Sequence, residues 1–278
     1  TLSSAITLGS GMSAGIEGPV AQIGGSIGST VGRALRPTFD RLRVLIACGS
    51  AAGIAASYGS PIAGVMFAQE IVLASEFEAK HFYLIILAAG ASAVAAAQIS
   101  GVEHVLRAPD LTFAMGREVI LYVLLGGVAG VLAVAFIRVF YGIRDAFARS
   151  QMPETAKPLA GAVIVGISLI FFPQVSAMGY DTISHAFEGT MGTRLLLSLI
   201  VVKMLMTSVT LGCGGSGGVF TPAMFIGAML GGGFAGVTNY LSPETIAEPG
   251  AFALVGMGAF LAAATHAPQR PPTSACVE

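Results

Sequence analysis

The residues best suited to chemistry lie in two glycine-rich segments that resemble each other. Residues 9–24 read GSGMSAGIEGPVAQIG, and residues 212–227 read GCGGSGGVFTPAMFIG. At a fixed offset of 203 positions the segments share four glycines, one serine, one proline and one isoleucine. Only the first segment carries a carboxylate, Glu17, and the second has Phe220 at the equivalent position. The pattern predicts a shared structural role for the segments and an additional function for Glu17.

Each segment is suited to binding a small anion through its backbone. Glycine allows the backbone to approach a ligand closely and to adopt positive φ, and proline is well tolerated in the first turn of a helix. The first N–H groups of a helix have no partner within the helix and carry partial positive charge. Such a helix end binds anions, more strongly at low dielectric. Close helix packing alone is the alternative, but it does not require a proline at the same place.

Glu17 is difficult to explain by packing. A carboxylate within a membrane is costly and is a functional candidate by default. Among groups that favour negative charge it could occupy the site of the anion itself, and once protonated it could move away. Glu17 is therefore predicted to gate an anion path, to carry a proton, or to do both. The alternative is a helix cap at the membrane interface.

The composition places the chain in a membrane. Of the 278 residues, 54% are hydrophobic and 10% are charged, against roughly 25% charged in soluble domains. The mean hydropathy is +0.81, and several apolar segments approach the length of a membrane-spanning helix. We therefore predict an all-α polytopic membrane protein with a glycine-rich segment over 1–32. Its spans are predicted near 44–74, 82–100, 118–141, 158–172, 195–211, 219–240 and 251–267.

Other classes of function have little support in the sequence. The formal net charge of −1 argues against nucleic acid as a partner. The three cysteines and four histidines have no metal-ligand spacing. No Ser/His/Asp set and no phosphate loop followed by Lys-Ser/Thr is visible. We therefore predict that the protein is not an enzyme and has neither cofactor nor metal.

The repeat continues along the chain. Residues 49–61 and 256–268 match at an offset of 207, with coinciding glycine, alanine and proline positions. We predict a first repeat half over 1–157, an incomplete second half over 158–268 and a polar tail over 269–278. Internal repeats of this kind are typical of secondary transporters, in which the site lies between the halves.

Both ends of the chain suggest a longer parent protein. The first residue, Thr1, already falls within the first glycine-rich unit. An apolar helix follows Pro61, whereas the residues after Pro268 are too polar to continue a membrane helix. The expectation is that both ends of the parent are missing.

The pairing of GIEGP at 15–19 with GGVFTP at 217–222 resembles the CLC family of chloride channels and chloride/proton antiporters. The resemblance extends to about Pro268. It implies a CLC-type broken-helix bundle with two inverted repeats, both ends incomplete here, in a homodimer whose subunits each have a pore. It also implies a bacterial-type inner membrane, with chloride or a similar anion, protons and lipid as partners.

The resemblance also implies roles for individual residues. Glu17 corresponds to the gating glutamate and the proton-carrying group. The backbone amides of Ile16, Glu17 and Gly18 would line an outer anion site, and those of Val219 and Phe220 would bind the central anion. Structural roles fall to the remaining motif residues, Gly15, Pro19, Gly218 and Pro222.

Several departures from the family pattern leave the mechanism open. Ile16 stands where the family usually has Arg or Lys, and Ile71 stands where antiporters have an inner proton glutamate. The family's chloride-binding serine and tyrosine would lie before Thr1 and beyond Pro268. Chloride/proton antiport and a gated chloride channel both remain open. Transport of nitrate or fluoride, and a truncated fragment that does not transport, are the alternatives.

One buried cation is predicted within a span. Lys203 lies in the middle of the apolar sequence LIVVKMLM. A structural role is expected, in which the ammonium binds a carbonyl or a carboxylate. Glu70 is one candidate for the carboxylate.

Overall fold

The computed structural model describes residues 2–35, 38–73, 79–100, 117–241 and 248–266. Within these ranges it contains eleven α-helices, one π-helical turn and one 3-10 turn. The α-helices are α1 (Leu2–Gly9), α2 (Glu17–Leu35), α3 (Phe39–Tyr58), α4 (Pro61–Phe67), α5 (Ala79–Ser100), α6 (Arg117–Arg149), α7 (Ala156–Phe171), α8 (Tyr180–Phe187), α9 (Thr193–Gly212), α10 (Phe220–Leu241) and α11 (Pro249–His266), with the π-helical turn at Ala68–Val72 and the 3-10 turn at Pro173–Val175.

The prediction of an all-α fold is confirmed. The predicted spans from 82 onward each correspond to one helix, and α6 continues past residue 141 to Arg149. The short helix α8 and the 3-10 turn before it were not predicted, because neither is long enough to cross a membrane. The end of the predicted repeat at Pro268 and the predicted polar tail lie outside the described residues.

The prediction of one continuous span over 44–74 is wrong. The chain breaks after α3, where Gly59 has a φ of 63° and ends the helix in the left-handed conformation. The Ser60 side chain then accepts a hydrogen bond from the N–H of Ala63, and Pro61 is the first residue of α4. A glycine, a serine cap and a proline in sequence are the usual signals for one helix to end and another to begin.

Several helices among the described residues are candidates to span a membrane. Four of them, α5, α6, α9 and α10, contain a stretch long and apolar enough to cross a bilayer. On α6 the side chains of Val123 and Val131 are 71% and 74% exposed, whereas Leu125 and Ala129 on the other face are fully buried. Such large exposed apolar faces are unusual on soluble proteins. They are expected where lipid is the solvent.

The repeat predicted from the glycine-rich segments is present in the helix boundaries. Helix α1 ends at Gly9 and α9 ends at Gly212, which are 203 positions apart. Helix α2 begins at Glu17 and α10 begins at Phe220, with the same offset. The two segments therefore fold as equivalent helix–loop–helix units.

The connecting loops also share a backbone conformation. Gly11 has a φ of 83° and Gly214, its equivalent, has a φ of 101°. Residues with a Cβ atom rarely adopt this left-handed region. The two glycines therefore have the same conformational role, which explains their repetition at one offset.

A second repeated feature is a close crossing of two helices. In α2 and α3, a methyl group added to Gly24 would overlap the carbonyl oxygen of Gly49. In α10 and α11, a methyl group added to Gly227 would lie 2.5 Å from the carbonyl oxygen of Gly256. These four glycines are the pairs that the sequence matched at offsets of 203 and 207. The repeat therefore preserves a backbone-to-backbone contact that only glycine permits.

The structure divides into two compact units, and each is described by itself. The division follows packing and differs from the repeat halves 1–157 and 158–268, which stay a prediction. The first unit comprises Thr1–Arg107, Ser176–Tyr180 and Gly215–Thr221, and the second comprises Ala108–Val175, Asp181–Gly214 and Pro222–Glu278.

In the second unit, Lys203 is a structural cation. Its side chain is fully buried, and Nζ donates a hydrogen bond of 3.0 Å to the carbonyl oxygen of Val175. Nζ also lies 4.7 Å from the centroid of the Phe225 ring, a cation–π distance. The carbonyl partner predicted for Lys203 is confirmed, while Glu70 is exposed on its helix.

Lys203→Met should lower the stability of the protein. The methionine side chain retains the packing but leaves the Val175 carbonyl without this donor, at a cost of roughly 1–3 kcal/mol for an unsatisfied buried group. Thermal unfolding in detergent should show a lower midpoint. The control is Arg194→Met, because Arg194 is an exposed cation near the start of the same helix, α9. An unchanged midpoint for Lys203→Met would contradict a stabilising role.

Candidate functional site

Glu17 lies in the first unit, beside the end of α3 and the two residues of α10 that belong to that unit. It is the first residue of α2, and only 1% of it is exposed. Its Oε1 atom accepts hydrogen bonds from two hydroxyl groups, those of Tyr58 and Thr221. Tyr58 is the last residue of α3, and Thr221 is the second residue of α10. The carboxylate is therefore held between the end of one helix and the starts of two others.

A third hydroxyl group completes this arrangement. The Tyr180 hydroxyl donates to the Tyr58 oxygen at 3.2 Å and lies 3.2 Å from Oγ1 of Thr221. The Tyr58 and Thr221 oxygens are themselves 3.2 Å apart. The rings of Tyr58 and Tyr180 meet edge to face, with centroids 6.5 Å apart and planes at 87°. We call Tyr58, Tyr180 and Thr221 the hydroxyl triad.

The two glycine-rich loops pair directly at this site. The N–H of Gly15 donates to the carbonyl of Gly218 and the N–H of Gly218 donates to the carbonyl of Gly15, both at 2.8 Å. The result is an isolated antiparallel bridge between two residues that the 203 offset makes equivalent. A reciprocal pair of this kind has local two-fold symmetry. The bridge is what a two-fold relation between the repeated loops predicts.

The other carboxylate oxygen of Glu17 lies against this glycine bridge. A methyl group added to Gly15 would overlap Oε2, and one added to Gly218 would lie 2.7 Å from it. Among the residues that the structure describes, Oε2 has no hydrogen-bond partner. The two glycines thus provide the space for the carboxylate, and the hydroxyl groups provide its hydrogen bonds.

Hydrogen bonds hold the loops in place. The Ser216 N–H donates to Oγ1 of Thr7 at 3.2 Å, and the hydroxyl groups of Ser216 and Ser4 are 2.8 Å apart. The Ala177 N–H donates to the carbonyl of Gly11 at 3.2 Å, which anchors the segment leading into α8. All three contacts connect distant parts of the sequence, so the positions of the loops depend on long-range packing.

The structure brings the predicted backbone groups of the first turns close together. A methyl group added to Gly18 would lie 3.8 Å from the Gly218 Cα atom, so the start of α2 approaches the second loop. The Phe220 ring, at the start of α10, packs 6.2 Å from the ring of Phe67.

The predicted residues occupy equivalent places in the two helix starts. Ile16 and Val219 immediately precede α2 and α10, and the two motif prolines are their third residues. The anion-binding roles of the amides of Ile16, Glu17, Gly18, Val219 and Phe220 stay predictions. So do the structural roles given to Pro19 and Pro222.

The hydroxyl triad was not predicted from the sequence. Thr221 lies inside the GGVFTP motif and is the equivalent of Gly18, so its hydroxyl group is an exception to the repeat. Tyr58 directly precedes the Gly59 break. Tyr180 carries no local signal. At Tyr58 and Thr221 the local signal is a hydroxyl group at an otherwise apolar helix end, and this signal does not show that the groups converge.

This geometry can carry out two chemical steps. Charge-assisted hydrogen bonds from hydroxyl groups favour a carboxylate with negative charge. A small anion can compete for the same region, because helix N-termini favour any negative charge. Protonation of Glu17 removes its charge and weakens its hold on these donors. The site can therefore couple the position of one side chain to both protons and anions.

The fold and the site define a polytopic helical membrane protein built on a repeated broken-helix unit, with a buried carboxylate at the helix N-termini. The chain belongs to the voltage gated chloride channel family, whose model matches residues 1–269. The family is one of channels and transporters.

Two curated relatives show the range of names within the family. A protein from Ralstonia nicotianae named "Putative chloride channel protein ClcB-like" is 36% identical over 270 residues, which are 96% of this chain and 63% of the relative. The "H(+)/Cl(-) exchange transporter ClcA" of Vibrio vulnificus is 33% identical over 269 residues, which are 94% of this chain and 57% of the relative. The chain thus spans about 60% of the length of these relatives.

Solved structures support the same fold. A slow cyanobacterial Cl-/H+ antiporter matches with a TM-score of 0.80 and 29% identity, covering 92% of this chain and 60% of that one. A CLC-type fluoride/proton antiporter matches with a TM-score of 0.77 and 25% identity, covering 92% of this chain and 62% of that one. The resemblance to CLC proteins inferred from the two motifs is therefore confirmed.

Proposed function

We propose that the protein transports a small anion, chloride by default, across the membrane in exchange for protons, and that Glu17 is both the gate and the proton-carrying group. The observation that carries the proposal is the Glu17 carboxylate, buried at the paired starts of two helices and held by hydroxyl donors. Family membership and the names of the relatives support the class of function. Transport, not catalysis, is the proposed activity.

The proposed cycle follows from competition between the Glu17 carboxylate and the anion for the same site. The ionised carboxylate occupies the region that the helix N-termini favour for negative charge, so it excludes the anion. An anion that arrives competes with it, and a proton that binds Glu17 releases it. The amides of Ile16, Glu17, Gly18, Val219 and Phe220 are proposed to bind the dehydrated anion. Neutral donors bind an anion reversibly, as transport requires.

Ile71 supports a second candidate function, a passive anion channel. It occupies the position of the inner proton glutamate of antiporters, by the family resemblance, and its side chain cannot titrate. Ile71 lies in the π-helical turn after α4 and is 50% exposed. In an exchanger, protons would have to reach Glu17 by another route, such as water. Chloride efflux without proton movement would favour the channel.

The protein is further proposed to act as a homodimer, with each subunit carrying its own pathway. The family resemblance supports this, and the proposed halves 1–157 and 158–268 would each contribute one glycine-rich loop to that pathway. Nitrate and fluoride are the competing anions. A fluoride/proton antiporter is among the structures with the same fold.

The test of the proposed function is Glu17→Gln in liposomes containing the full-length protein. Chloride efflux and proton movement are recorded together in the unaltered protein and in the variant. The unaltered protein should couple the two and should transport faster as the pH falls, because protonation frees Glu17. Glu17→Gln should abolish proton movement and the pH response while chloride still passes.

Glu70→Gln is the matched control, because Glu70 is an exposed carboxylate on a different helix. It should leave both fluxes unchanged. A pH response that persists in Glu17→Gln would remove Glu17 from the mechanism. Addition of nitrate or fluoride to the same vesicles ranks the anions by their ability to replace chloride.

A further inference from the structure

We propose that the hydroxyl triad (Tyr58, Tyr180 and Thr221) holds the Glu17 carboxylate in the closed position and thereby sets how readily an anion displaces it. The inference rests on the proposed gating function of Glu17. It assigns a positioning role to three side chains that neither motif predicts.

The hydrogen bonds of the triad are directed toward Glu17. Each hydroxyl group has one proton to donate. Tyr58 and Thr221 use theirs on Oε1 of Glu17, and Tyr180 donates to the oxygen of Tyr58. The donors therefore converge on the carboxylate. A hydroxyl group that accepts a hydrogen bond becomes a better donor, so Tyr180 strengthens the bond that Tyr58 makes.

The triad is also fixed in position before Glu17 arrives. Its members come from three separate helix ends, those of α3, α8 and α10. The edge-to-face contact between Tyr58 and Tyr180 restricts both rings. The left-handed Gly59 fixes the end of α3 directly after Tyr58. Donors that need no rearrangement bind their acceptor with little loss of entropy.

The hold on Glu17 is incomplete, which suits a group that must leave. Oε1 accepts two hydroxyl bonds, whereas Oε2 has no partner within the described part of the chain. A hydrogen bond to a charged group changes an equilibrium by roughly 10- to 150-fold. Removal of one donor should therefore shift the balance between carboxylate and anion by about tenfold or more.

Tyr58→Phe tests the inference, because it deletes one oxygen and retains the ring. Chloride binding to the full-length protein is measured by titration calorimetry with sodium chloride at neutral pH. Affinity should rise about tenfold or more, because the carboxylate competes less well. Thr221→Val should have the same effect and serves as a second variant should Tyr58→Phe fail to fold. Tyr240→Phe, at an 87% exposed position, is the matched control and should change nothing.

A variant that lacks the Glu17 carboxylate shows whether the hydroxyl groups act by holding Glu17 or by binding the anion themselves. In Glu17→Ala, adding Tyr58→Phe should leave the chloride affinity unchanged within about twofold. A fall in affinity there would show that the hydroxyl groups bind chloride directly, and would overturn the inference. The inference would also be overturned if Tyr58→Phe and Thr221→Val both left the chloride affinity unchanged while Glu17→Gln abolished the pH response. That outcome would leave the proposed function of Glu17 standing.

Discussion

Gly24→Ala should prevent α2 and α3 from packing and should destabilise the first unit by several kcal/mol, above the roughly 1–3 kcal/mol typical of overpacking. The added methyl group would overlap the carbonyl oxygen of Gly49. A backbone atom in a packed helix cannot rotate away as a side chain can. Because α2 begins at Glu17 and α3 ends at Tyr58, separation of the helices would also part the carboxylate from its donor. Thermal unfolding and gel filtration in detergent should show a lower midpoint and less monodisperse protein.

Gly90→Ala is the matched control. Gly90 lies in α5 of the same unit, and nothing lies within 4 Å of a methyl group added there. Alanine favours the helix over glycine by about 1 kcal/mol, so this variant should be as stable as the unaltered protein or more stable. Equal midpoints for Gly24→Ala and Gly90→Ala would show that α2 and α3 can separate without cost.

The features that could be predicted from the sequence are those determined by residues close together in the chain. Helix starts, loop glycines and the repeat at offset 203 depend on residues within one segment, and Gly11 and Gly214 adopt the positive φ that such loops require. The family resemblance also depended on two short motifs. Glycine and proline constrain the backbone directly, so their spacing can be interpreted without knowing the fold.

The helix break after Tyr58 was missed for a different reason, when one continuous span was predicted over 44–74. The signals were present in the sequence, because Gly59, Ser60 and Pro61 are a helix stop, a cap and a helix start. The high hydropathy of residues 44–74 favoured a single span despite these signals, since both helices are apolar. A window that averages hydropathy cannot distinguish one long helix from two broken ones.

The hydroxyl triad could not have been predicted in this way. Tyr58 and Thr221 are separated by 163 positions, and Tyr180 lies between them in the sequence. Single tyrosines and threonines in apolar helices have no spacing that identifies them. Their convergence depends on tertiary packing, which composition and periodicity do not encode. The same holds for the carbonyl that Lys203 binds, since Val175 belongs to a turn outside any predicted span.

Gly15→Ala should open the pathway without unfolding the protein. The added methyl group would overlap Oε2 of Glu17, which is the end of a flexible side chain and can move away. Gly15 lies outside the left-handed region, so alanine fits its backbone. Loss of both hydroxyl bonds to Oε1 should raise chloride flux at neutral pH by about tenfold or more, since each such bond is worth at least that factor. The flux of the variant should also lose most of its dependence on pH.

Gly9→Ala separates this effect from a general disturbance of the segment. Gly9 is the last residue of α1 and belongs to the same glycine-rich segment, and nothing lies within 4 Å of a methyl group added there. Its flux and pH response should match those of the unaltered protein. The double variant Gly15→Ala/Glu17→Ala should have the same chloride flux as Glu17→Ala alone, because the added methyl group acts by displacing the carboxylate. If Gly15→Ala instead reduces flux and keeps the pH response, the methyl group blocks the anion, and the space beside the glycine bridge belongs to the pathway itself.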